Sequence, residues 1–180
     1  MTLGEMKEKV YSLIEEYSED AEDLTEDEDL ALKMNHVINQ IQNELARYKK
    51  IPKSTTLSVQ EGQEIALTDI DKDIYQLGII RGVEYDTMND LVTFNEDGIA
   101  KIYYYKYPKQ ITNETDDDYK FELSTDVLEI MPYGVAGDLL KSDVSSQYGA
   151  IYEARYRELK GMLDNRYGMS AVELTGGFKV

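Results

Sequence analysis

At 180 residues and 20.7 kDa the chain forms one medium domain or two small ones, and is long enough to bury about two-thirds of its unfolded surface. It has no cysteine and one histidine, His36, which excludes a disulfide framework, a thiol nucleophile, a thiolate metal site and a multi-histidine relay. The net charge of −17, from 36 acidic and 19 basic side chains, repels a phosphate backbone and argues against a protein that grips DNA, though not against one that sits beside it.

No apolar run approaches the ~18 residues of a membrane-spanning helix. Residues 1–20 lack the basic start, apolar middle and small-residue cleavage site of a signal peptide, so a soluble, unexported chain with no membrane partner is expected.

Thr2 and Glu5 stand in the Thr-x-x-Glu spacing of a capping box, and Leu3, Met6, Val10, Leu13 and Tyr17 follow at intervals of three and four. This predicts a first helix. Charge is then concentrated: residues 1–30 hold 12 acids and 2 bases, and the acidic stretch Ser18–Asp29 reads as a loop, with Thr25 and Glu28 as a second capping box. Leu30, Met34, Val37, Ile41, Leu45 and Tyr48 predict a second helix, which Pro52 ends.

From Lys53 to Thr125 the period changes to two. Leu57 and Val59 alternate with polar residues, Gln60-Glu61-Gly62 reads as a turn, and Ile65 and Leu67 resume the alternation. Further strands are predicted at Tyr75–Ile80, Leu91–Phe94, Ile99–Tyr107 and Tyr119–Leu123. Asn95–Gly98 is a hairpin signal, and Asn113–Asp118 reads as an exposed acidic hairpin tip.

Helical character then returns. Asp126 is placed to cap a short helix to Ile130, Pro132 suits the first turn of the next, and Val135, Ala136, Leu139 and Leu140 give that helix an apolar side. A last helix from Ser145 carries Tyr148, Ile151, Tyr152, Leu159 and Met162 near one face, and Gly134, Gly137, Ala150 and Ala154 allow the two segments to approach closely.

The fold expected is α+β: a four-helix body from residues 1–52 and 126–164, an inserted small antiparallel β domain at 53–125, and an extended tail at 165–180. The two helical arms must share a core, because each alone exposes its apolar stripe. Such an insertion is tolerated when its ends lie close in space.

Familiar chemistry finds little footing. Asp69, Asp71 and Asp73 open like a calcium loop, but Ile74 and Ile80 replace the glycine and glutamate that such a loop needs, leaving a solvated turn as the reading. Asp116–Asp118 lack a scaffold, and His36 reads as a surface or intersubunit residue. No GxSxG, Walker loop, HExxH or GxGxxG is present, so no catalytic, cofactor or metal residues are assigned.

Contact chemistry is richer. The 15 tyrosines against 3 phenylalanines suit half-wet interfaces, and Tyr103-Tyr104-Tyr105 with Tyr107 sends rings to both faces of one strand. Arg47, Lys49, Lys50 and Lys53 cluster near the end of the second helix, where a nucleic-acid patch is the alternative to the favoured reading, in which they offset its dipole and suit the acidic Glu15–Asp29 stretch of a neighbouring copy. Arg47, Lys49, Lys50 and Tyr104 are accordingly the expected intersubunit residues. Val172, Leu174, Phe178 and Val180, with little to bury them, read as a segment that a partner accepts, with added-strand pairing as one mode.

The run Met131-Pro132-Tyr133-Gly134-Val135-Ala136-Gly137-Asp138-Leu139-Leu140-Lys141-Ser142-Asp143, followed by Tyr148, Ile151 to Tyr156 and Leu159, resembles the closing helical hairpin of tailed-phage head–tail connector (adaptor) proteins. The opening Thr2–Met6 helix and the acidic loop after it are similar to the N-terminal pair of that family. The resemblance implies a non-enzymatic virion protein of the neck, made in the bacterial host's cytoplasm. It would form a ring, commonly dodecameric, that joins the portal protein to tail or neck proteins and passes double-stranded DNA without sequence-specific binding.

The resemblance also implies portal docking by the C-terminal segment, here Val172 to Val180. Many connectors are wholly helical, so the β insert departs from the commonest pattern. A carboxylate-lined channel gives DNA no sticking points, and acidic faces against basic ones suit a head-to-tail ring. The competing reading is an acidic DNA mimic that inhibits a nucleic-acid-binding protein. A metal-dependent hydrolase is disfavoured because the acidic run lacks its remaining ligands.

Overall fold

The computed structural model describes residues 1–15, 28–142 and 148–167, with side chains described at 1–14, 32–141 and 148–163. The chain is α+β, mixing helices with two small antiparallel sheets. In chain order the elements are α1 (Leu3–Glu15), α2 (Glu28–Tyr48), β1 (Ile51–Val59), β2 (Glu64–Ala66), α3 (Leu67–Ile70), β3 (Ile74–Arg81), β4 (Tyr85–Met88), β5 (Leu91–Phe94), β6 (Gly98–Lys106), α4 (Thr125–Leu128), α5 (Met131–Leu139) and α6 (Tyr148–Tyr167). The Thr25–Glu28 capping box, the start of the last helix at Ser145 and the expected tail residues Val172, Leu174, Phe178 and Val180 lie outside the described residues.

Local signals set α1. The Thr2 amide donates to a Glu5 carboxylate oxygen at 2.9 Å and the Glu5 amide donates to the Thr2 hydroxyl at 3.2 Å, which satisfies two helix-start donors reciprocally. Leu3, Met6, Val10 and Ile14 then fall on one buried face. On α2 the buried positions Met34, Val37, Ile38, Leu45 and Ala46 trace a matching stripe. Helix α5 lies against α1, α2 and α6. Their side chains share one cluster with Ile111, Phe121, Leu123 and α4.

The first sheet has strand order β1-β6-β3 and the second β2-β5-β4. Both feed a second cluster, comprising Val59, Leu67, Ile80, Val83, Val92, Phe94, Ala100, Ile102 and Tyr104. β1 runs antiparallel to β6 along its whole length, from Ile51 opposite Lys106 to Val59 opposite Gly98, so this strand unit enters and leaves at adjacent points.

Several expectations are corrected by long-range pairing. Asn95–Gly98 closes no hairpin, because β5 and β6 belong to different sheets. The tight hairpin is instead β4–β5, with Met88 opposite Leu91 and Asn89 in the left-handed region at φ 56°, which asparagine tolerates. Tyr119–Leu123 is not a strand: Lys120 makes a single bridge to Thr2, while Phe121 and Leu123 join the helical core. Asn113–Asp118 is exposed, as expected, but is no hairpin tip, since no strand lies between β6 and α4; the Asp117 carbonyl accepts the Gly4 amide at 2.8 Å and its carboxylate binds Lys7 at 2.8 Å.

Asp126 does not cap α4. Ser124 occupies the cap position without a side-chain capping bond, and Asp126 binds Lys49 at 2.7 Å. On α6 the buried large side chains among the described residues are Tyr152, Tyr156 and Leu163, whereas Ile151 is 55% and Met162 46% exposed. The close approach of α5 to α6 does use Gly137, where a Cβ would stand 3.0 Å from the Glu153 amide nitrogen, but its small partner is Gly149 rather than the exposed Ala150 and Ala154. The Asp69–Asp73 stretch is not a plain turn, because its first acid lies in α3 and Asp71 is engaged by Tyr104.

Candidate functional site

Where α2 gives way to β1, only Lys49 and Lys50 intervene, and polar contacts fasten the helices to the first sheet. The Tyr75 hydroxyl donates to the Ala46 carbonyl at 3.0 Å, and the Tyr75 and Tyr107 rings lie 4.7 Å apart. Arg47 donates to the Tyr107 hydroxyl at 3.1 and 2.8 Å. Lys106 pairs with Glu122 at 2.8 Å. Beyond the joint, Asn39 and Gln42 bond the backbone of Ile111 and Lys109, so residues 107–112 lie along α2. Burial opposes ionisation of Asp126, but the Lys49 hydrogen bond, Ser124 and the Lys49 charge outweigh it and hold the carboxyl down at about 2.

Arg47 and Lys49, expected at a subunit contact, are thus engaged within the chain. Tyr104 also points inward: it is 7% exposed, and its hydroxyl donates to Asp71 at 2.9 Å. Burial, reinforced by that hydrogen bond and the Asp71 charge, pushes the Tyr104 phenol up to about 12.

Lys50 belongs to a different surface. Alternation along β6 sends Ala100, Ile102 and Tyr104 into the core and leaves Ile99, Lys101, Tyr103 and Tyr105 facing outward. The ladder sets Pro52 and Gln76 beside Tyr105, and Thr56 and Arg81 beside Lys101. Cations then settle over rings: Lys50 Nζ lies 4.6 Å from the centroid of Tyr105, and Arg81 Cζ and Lys101 Nζ lie 5.6 and 5.2 Å from that of Tyr103.

No outward strand position of this sheet carries a carboxylate, in a chain with 36 acidic residues. Among the described residues Lys50, Arg81 and Lys101 have no ion-pair partner, and all three are exposed. An open groove of about 640 Å³ runs over this face. Gly78 lines it at the irregular β3–β6 register between Leu77 and Ile79, where a Cβ would lie 2.9 Å from the Tyr103 carbonyl oxygen. The arrangement holds positive charge in fixed positions above a β surface.

One period-two signal for this face was present in the sequence, since Lys101, Tyr103 and Tyr105 share a strand parity. Arg81 was missed, because only the β3–β6 register brings it to Lys101. His36 is exposed, and among the described residues no three metal-binding side chains gather. No protein-family model matches the chain, and no curated protein matches it.

Proposed function

We propose that the chain is a structural, non-enzymatic protein of the phage neck, a connector or adaptor that assembles as a ring between portal and tail around the DNA channel. The observation that carries this reading is the position of α5. The residues behind the resemblance, Met131 onward, lie on α5 and α6, and α5 meets α1, α2 and α6 at once. That packing supports a four-helix body built from the two ends of the chain, with the strands projecting from it. Docking of the portal by Val172 to Val180 belongs to the same reading.

Native mass spectrometry and electron microscopy of the chain with its portal test the reading. A cyclic oligomer seated on the portal is expected. A strict monomer that never joins portal at high concentration overturns it.

A further inference from the structure

We propose that the outward face of the β1-β6-β3 sheet is the receptor for residues 15–29 of a second copy of this chain, making a head-to-tail contact. The proposal deepens the self-assembly reading and rests on it. The occupant follows from charge: residues 15–29 hold ten acids and no base, and the face holds Lys50, Arg81 and Lys101 with no carboxylate at its outward strand positions. A polynucleotide is the poorer fit. The chain's net charge of −17 opposes one, and cations already lie over the rings of Tyr103 and Tyr105 that bases would stack on.

The length of α2 favours a contact between copies. α2 has 21 residues, about 31 Å of helix, and its last turn adjoins Lys50. The acidic segment enters α2 at the opposite end. α1 starts beside Lys120, near the Glu122 that binds β6. A neighbour's segment is not bound by that separation, so the occupant is assigned to a second copy. A contact joining two different surfaces leaves one of each open, which repeats until a ring closes.

Two full-length variants test this by native mass spectrometry and sedimentation at low salt. One carries K50E, R81E and K101E; the other carries Glu19→Gln, Asp20→Asn, Glu22→Gln, Asp23→Asn, Glu26→Gln and Asp27→Asn. Each alone should be monomeric with an unchanged circular dichroism spectrum, and an equimolar mixture should form a 1:1 dimer, since one intact segment meets one intact face. In parallel, a labelled peptide of residues 15–29 should bind the chain whose own acidic segment is neutralised, with affinity roughly tenfold or more weaker when that chain also carries K50Q/R81Q/K101Q.

Wild-type assembly by both variants overturns the contact and leaves the ring reading standing. So does absence of peptide binding, or tighter capture of oligo-dT than of the peptide. Peptide binding by a chain that never joins portal sinks the connector reading alone.

Discussion

The helical core draws on both ends of the chain, with Leu3 and Leu163 among its members, whereas every member of the second cluster lies between Val59 and Tyr104. The first is distributed in sequence and the second contiguous. Their buried content differs accordingly: the helical cluster is built mainly from aliphatic and methionine side chains on amphipathic faces, while the strand cluster centres on Phe94, the largest fully buried side chain of the described residues. The contiguous region can be loosened locally, whereas a breach in the distributed one loosens contacts between segments far apart in sequence.

Truncation of the two centres breaks this comparison most forcefully. Phe94→Ala should cost about 3–5 kcal/mol and Met131→Ala about 2–5 kcal/mol, both read by urea unfolding. Hydrogen exchange separates them: Phe94→Ala should accelerate exchange chiefly within β1–β6, and Met131→Ala in α1, α2, α5 and α6 together. Uniform acceleration in both variants would show one cooperative unit.

A smaller effect is expected from Gly137→Val, which forces a side chain against the α6 backbone and should cost about 1–3 kcal/mol, measured as a lower Tm. Exchange at α6 should rise with it.

The joint between the regions is sharpened by Lys49→Met, with an expected loss of about 1–2 kcal/mol. Asp126 is held at about 2 against an ordinary 3.8, so its contribution is complete above 3.8 and disappears as pH falls through about 2. The variant's acid unfolding profile should be flatter across that interval. Least disruptive is Tyr104→Phe, expected to cost about 1 kcal/mol. Tyr104 titrates at about 12 rather than 10.0, so the wild type should lose this contribution as pH rises from 10.0 through about 12, and the variant should not.

What was legible in the sequence was local. The Thr2–Glu5 box involves residues three apart, and the α2 stripe repeats within one element, so neither needed a partner to be read. The strands at Tyr75, Leu91 and Ile99 announced themselves by alternation, but their partnership did not, and Asn95–Gly98 looked like a hairpin though it passes between sheets. β4 was overlooked because Asp86 and Thr87 give it a polar composition, and its turn depends on Asn89 rather than glycine. The buried face of α6 was misjudged at Met162, since which stripe is covered is decided by α5. The candidate face was invisible as a unit: Lys50, Arg81 and Lys101 come from separate segments that only the ladder register unites.

The side-by-side pairing of Ile51 with Lys106 bears on how the chain reaches its fold. Before that pairing forms, α2 and Ile111 are separated by more than fifty residues of unclosed loop; once it forms, a handful remain. By loop-closure entropy the difference is about 2 kcal/mol. Zipping of the β1–β6 ladder thus lowers the barrier to collapse of the helices, and a defect at its Ile51 end should appear in kinetics as slower refolding of α-helical signal, far from the strands themselves.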